Sequence, residues 1–240
     1  MSRDLRMAAL LGLALLFAGY SMPQTAGGAD QNTPEALNAT YDQAMRAKDW
    51  ASALTAAQKL VNSNASTENL LLLADVQVSS GAGEAALATT DRALDAVKKE
   101  KFTEDPQDAE RKELKSKIYL TRGDAFRQLR RNKEAIDTYN RAAPLASNPG
   151  LPLLDICVTY ANSGDPQDAM PACRKAARAD PMRADVWFLL GSLLYGDATV
   201  DGNGHLVLTE ECREALKKYL DLAPDGSHAA DTKSMLQMTQ

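Results

Sequence analysis

Large and small side chains recur along this chain at a fixed step of 34 residues, and a repeat of that length leaves few folds open. Tyr119, Leu153 and Trp187 form one series, Gly123, Cys157 and Gly191 a second, and Phe126, Tyr160 and Leu194 a third. Ala135 and Ala169 keep the same step in the second half of the unit. A large residue stands four places before a small one, which is helical spacing, and the small residue lets a second helix approach closely. Turn signals lie between these stripes: Arg131-Asn132-Lys133 in one unit and Gly164-Asp165-Pro166 in the next. Asp165 can cap free N–H groups and Pro166 suits a first helical position. Asp-Pro-Gln-Asp-Ala stands at 105–109 and again at 165–169, and should begin a helix both times. Asp180-Pro181 ends one unit and opens the next.

These residues resemble the tetratricopeptide repeat family, whose pattern is a large residue, x2, Leu-Gly, x2, Tyr, then Ala-x3-Phe, then Pro. Tyr119-x2-Arg122-Gly123-x2-Phe126 with Ala135-x3-Tyr139 follows it, departing at Arg122. Leu153-x2-Ile156-Cys157-x2-Tyr160, Ala169-x3-Cys173 and Pro181 are in register, with Cys in place of Gly and Phe. Trp187-x2-Leu190-Gly191-x2-Leu194 supplies a third first helix. Leu70-x2-Leu73-Ala74 with Ala86-x3-Thr90 is a degenerate repeat, and Asp49-Trp50-Ala51-Ser52-Ala53 resembles another second-helix start. The resemblance covers roughly 34–224 and implies an all-α solenoid of antiparallel helix pairs.

The expected organisation is degenerate helical repeats over 30–100, a charged helix extension or linker over 101–118, and repeats over 116–224. An insertion at 197–209 interrupts the last repeat, and a capping helix follows over 225–240. Ala86 to Ala135 is 49 residues, 15 more than one period; the excess lies in the charged stretch Lys98 to Lys117, read as extended, solvated helix ends or as a docking surface. Thr199 to Val207 places apolar residues around Asp201-Gly202-Asn203-Gly204, which predicts a small β-hairpin near 198–208. Asp201 and Asn203 also begin a calcium-loop pattern, but its sixth and twelfth positions hold Leu206 and Cys212, so a plain turn is the better reading.

Residues 1–29 have the pattern of a secretory signal: Arg3 and Arg6, an apolar run from Met7 to Gly19, then Ala26-Gly27-Gly28-Ala29. The alternative is an uncleaved anchor, although the run falls short of the roughly 20 residues that span a bilayer. No cysteine follows it to carry a lipid. Export to a periplasmic or secreted location is therefore expected, in an oxidising compartment. With 27 Lys and Arg against 32 Asp and Glu, the formal net charge is −5, and no basic block points to nucleic acid.

Two histidines in all, His205 and His228, nearly exclude multi-histidine metal or relay chemistry. The chain carries no phosphate loop, zinc-binding HExxH, GxSxG elbow or dinucleotide fingerprint, so no catalytic residue, cofactor or metal is assigned. Cys157 and Cys173 are equidistant from Asp165, at the turn between two antiparallel helices, which brings them to one height on the packed stripes. They form either a disulfide, closing a loop of about 15 residues, or a pair of free thiols in the core. Cys212 is left over, as a half-buried thiol or a redox site. Pro171 should kink its helix or delay the regular ladder.

In the tetratricopeptide family the groove is lined by the first helix of each repeat. By resemblance the groove positions are Leu120, Asp124, Arg127 and Gln128, then Leu154, Val158, Ala161 and Asn162, then Phe188, Ser192 and Tyr195. Family members that clamp a terminal carboxylate use groove lysines; Leu120, Leu154 and Phe188 stand there instead, so that activity is not implied. The leading expectation is a non-catalytic adaptor of the cell envelope, holding a partner protein or peptide in this groove. The competing readings are an exported thiol-redox helper using Cys212, and a structural spacer whose groove is filled by the next helix or by its own segment Ala229 to Met238.

Overall fold

The computed structural model describes residues 32–99, 106–203 and 205–238. The leader expected at 1–29 and the middle of the charged stretch, 100–105, lie outside the described residues. Among the described residues five antiparallel helix pairs follow one another: α1 (Pro34–Ala47) with α2 (Trp50–Ser63), α3 (Thr67–Ser79) with α4 (Gly83–Lys99), and α5 (Pro106–Gln128) with α6 (Asn132–Ala142). Then come α7 (Gly150–Asn162) with α8 (Pro166–Ala179) and α9 (Ala184–Tyr195) with α10 (Glu210–Leu222), closed by α11 (Ala229–Gln237). The architecture is an all-α solenoid. Its one small sheet among the described residues pairs β1 (Thr199–Val200) with β2 (Leu206–Val207), antiparallel, with Thr199 opposite Val207. That is the hairpin expected between α9 and α10. Asp201 is its turn-former: its Oδ1 accepts the N–H groups of Asn203 at 2.8 Å and His205 at 2.9 Å.

Short polar side chains start the helices where free N–H groups need acceptors. Thr33, Asp49, Ser66, Asp165 and Thr209 each accept a backbone N–H three residues on, at 3.2–3.3 Å. Helices α5 and α8 both open on the Pro of the repeated Asp-Pro-Gln-Asp-Ala segment. Inside four of the pairs the chain reverses through one residue with positive φ: Lys48 at 57°, Gly81 at 90°, Arg130 at 59° and Gly164 at 73°. Helix α8 runs through Pro171, which is exposed and forgoes one rung of the ladder.

The equivalent positions 123, 157 and 191 mark where the two helices of a pair cross. A Cβ on Gly123 would lie 2.4 Å from the Tyr139 ring, and one on Gly191 would lie 2.6 Å from Leu216 Cδ2. Cys157 occupies the crossing between them and is joined to Cys173 by a disulfide, with the alpha carbons 4.9 Å apart. Tyr139 follows Gly123 by 16 residues, as Cys173 follows Cys157. Leu216 follows Gly191 by nine more, the length that the hairpin adds. In the fourth pair a covalent bond thus takes the place of a glycine packed against a large side chain.

The 15 extra residues lengthen α4 to 17 residues and α5 to 23. The α5 extension is not wholly solvated: Leu114 and Ile118 enter the core with Val97 of α4. Arg122, the departure from the repeat pattern, bridges back to α4. Its Nη1 donates to Leu87 O at 3.2 Å, Thr90 Oγ1 at 3.1 Å and Asp91 Oδ1 at 2.7 Å. A polar clamp stands where the pattern has an apolar contact.

Candidate groove on the first helices

The first helices of the N-terminal three pairs line an open cavity of about 420 Å³. Its lining includes Asn38 of α1, Glu68, Leu71, Leu72 and Asp75 of α3, and Leu114, Lys117, Leu120 and Thr121 of α5. A second cavity, of about 460 Å³, is lined by Val78, Asp124, Arg127, Gln128, Arg130, Asn132 and Asn162. A wider opening of about 620 Å³ lies at the α2–α3 turn and α4, and includes none of the predicted groove positions.

The predicted groove residues divide accordingly. Leu120 lines the first cavity, and Asp124, Arg127, Gln128 and Asn162 line the second. Val158 and Ala161 are half-buried, Val158 against the core. Leu154 is a correction: at 8% exposure it packs into the core with Leu153 and Ile156, because α7 is apolar around most of its circumference. Phe188 is occupied by the chain itself, its ring stacked on His228 at 3.9 Å and tilted against Tyr219 at 5.4 Å. Ser192 is half-buried with Oγ unpartnered, and Tyr195 packs against the core formed by Leu190, Leu194, Leu208 and Leu216. The C-terminal end of the groove is therefore covered by α10 and the segment that follows it. His228, at the cap of α11, and Tyr219 of α10 do the covering at Phe188, while the segment expected to fill the groove, Ala229 to Met238, begins one residue later.

Asp124 sits in a closed network. Tyr139 Oη donates to Asp124 Oδ1 at 2.8 Å, Arg127 Nη2 donates to the same oxygen at 2.7 Å, and Arg127 Nε donates to Tyr139 Oη at 3.2 Å. Burial and the neighbouring Asp124 charge hold the Tyr139 hydroxyl protonated far above its usual range. Asp155 of α7 faces the same network without so close a cation. Burial first, and then Asp124, push its carboxyl up to about 7, while Arg127 and Arg183 pull the other way.

The sign of that shift sets a pH dependence. A folded-state value above the usual ~3.9 means that the folded protein binds the extra proton, so stability falls as pH rises from about 4 through 7. Asp155→Asn should raise the melting temperature at pH 8 and change it little at pH 4.5. Equal effects at both pH values would rule out Asp155 as the titrating group.

Sequence reasoning missed Asp75, Leu71, Leu72, Leu114 and Lys117. One signal was available: Asp75 precedes Asp124 by 49 residues, the same step that separates Ala86 from Ala135. Cys212 also needs correcting as a redox candidate. Its thiol is fully buried, donates to Gly191 O at 3.4 Å, and is raised above the usual thiol range by that burial. An exposed, reactive thiolate is what such chemistry requires. Among the described residues no cluster of three His, Cys, Asp or Glu side chains is placed to hold a metal ion. Nor is any helix there long and apolar enough to cross a membrane.

Residues 116–148, most of α5 and all of α6, match the family model for the tetratricopeptide repeat. The whole array is similar to solved structures of such proteins. The thermophilic tetratricopeptide protein TTC0263 of Thermus thermophilus has a TM-score of 0.60 at 16% identity, covering 85% of this chain and 100% of that one. Pseudomonas aeruginosa pilF has a TM-score of 0.61 at 13% identity, covering 85% and 82%. YrrB, described as a tetratricopeptide protein with an unusual peptide-binding site, has a TM-score of 0.50 at 17% identity, covering 85% and 94%. At these identities the likeness shows the fold. The sequence matches no curated protein.

Proposed function

We propose that this array of tetratricopeptide-type helix pairs is a non-catalytic scaffold of the cell envelope, holding a partner protein or peptide in the groove of its first helices. The observation that carries the reading is the pair of cavities along the first helices, one lined by α1, α3 and α5 and the other by residues of α3, α5 and α7, with Phe188 of α9 covered by His228. Solenoids of this kind use such surfaces for binding, and the side chains here are suited to contact and not to bond-making. The Cys157–Cys173 disulfide and the signal-like residues 1–29 support an oxidising, exported location, periplasmic or secreted. No cofactor and no nucleic acid enter the proposal.

The groove variant Leu72→Arg with Leu120→Arg tests it. Both side chains are half-buried and line the first cavity, so the substitutions fill the opening without hollowing the core. The wild-type chain should retain a partner from a cell-envelope extract, and the variant should lose it while keeping its helical circular-dichroism spectrum. Equal retention by a folded variant would contradict binding in the groove.

A further inference from the structure

The two cavities differ in charge compensation. In the second, Asp124 is neutralised by Arg127 and hydrogen-bonded by Tyr139, and Arg130 adds a further positive charge. In the first, Asp75 and Glu68 face a single cation, Lys117. Asp75 Oδ1 accepts the Thr121 hydroxyl at 2.7 Å, and Asp75 makes no ion pair among the described residues. Burial raises its carboxyl above the usual range, the Asp124 charge adds to that, and Thr121 and Lys117 oppose it. A carboxylate withdrawn from water without a paired cation is costly to the free protein. Around it lie Leu71, Leu72, Leu114 and Leu120.

Building on the groove reading above, we propose that the first cavity is the anchor site for a cationic side chain, Lys or Arg, set among aliphatic residues of the partner. The ammonium or guanidinium group pairs with Asp75, and the flanking aliphatic side chains lie on Leu72, Leu114 and Leu120. Charge complementarity decides against the opposite partner: an acidic peptide would bring a third carboxylate to Asp75 and Glu68. It also separates this groove from the family's carboxylate clamp, whose ligand carries the other sign. The long stems of Lys and Arg fit a site of this shape, because their methylenes can lie on leucine while the charge reaches the carboxylate.

The test uses three fluorescein-labelled peptides of the form Gly-Ser-Leu-Leu-X-Leu-Leu-Ser-Gly, with X as Lys, norleucine or Glu, titrated by anisotropy against the full chain. The Lys peptide should bind about thirtyfold more tightly than the norleucine peptide, with the advantage shrinking as salt rises, and the Glu peptide should bind weakest. Asp75→Asn, which leaves an acceptor for Thr121 and relieves the buried charge, should fold with undiminished stability and bind the Lys and norleucine peptides alike. Equal binding of all three peptides by the wild-type chain overturns the charge assignment and leaves the groove reading standing. No binding of any of them, from a chain that still retains its envelope partner through Leu72 and Leu120, overturns the peptide class alone. Loss of that partner-retention result overturns the groove reading itself.

Discussion

Removing the Cys157–Cys173 bridge as the double Ser variant should cost about 3 kcal/mol of stability in the chain-entropy model. For a chain of this size that corresponds to a melting temperature lower by about 6–12 °C. The bridge closes a loop spanning 16 residues, from the middle of α7 through the Asp165 turn to the middle of α8. Both cysteines are fully buried in one core with Leu190, Leu194 and Leu216, so the serines would also leave two hydroxyls without water. The double Ala variant separates the terms, since it removes the bond without adding a polar group. Calorimetry of the oxidised, reduced and Ala forms is the measurement. A reduced form that melts at the temperature of the oxidised form would show that the bridge adds nothing to this crossing.

Gly123→Ala should be strongly destabilising for a single-methyl insertion. The new Cβ meets three carbons of the Tyr139 ring, the nearest at 2.4 Å. The ring is fully buried and its hydroxyl is tied to both Asp124 and Arg127, so it cannot swing aside. Overpacking of this kind costs about 1–3 kcal/mol, and the better helix propensity of Ala returns less than about 1. A net loss of roughly 2 kcal/mol is expected by chemical denaturation. Adding Tyr139→Leu, a smaller and flexible side chain, should make the double variant less unstable than the two losses summed. Strict additivity would mean that the clash is relieved elsewhere.

These two sites also show what the sequence could and could not reveal. Positions 123, 157 and 191 recur at one period because helix crossings recur, and a crossing admits only a small residue or a covalent bond. That constraint is local, so the helix pairs and the facing of the two cysteines follow from spacing, and the hairpin between α9 and α10 from its turn residues. Spacing leaves open whether the two thiols are joined, and the structure shows the bond. The groove is less legible because its composition is not constrained by packing in the same way. Leu154 and Leu120 occupy equivalent positions, yet one is core and the other lines a cavity, since the helices that flank them differ. Asp75 was hidden by the 15 residues added to α4 and α5, which put its repeat out of the 34-residue step. His228 covers Phe188 from a turn outside the repeat register, where periodicity carries no information.

Whether the partner lies along the first helices can be read by cross-linking. A photo-reactive amino acid is placed singly at Leu120, Gln128 and Asn162, and for comparison at Leu54 of α2 and Arg178 of α8. A partner seated in the groove gives covalent capture of one and the same protein from the first three positions and none from the two second-helix positions. Capture from Leu54 or Arg178, with silence at Leu120, Gln128 and Asn162, would place the binding surface on the other helices and contradict the groove reading.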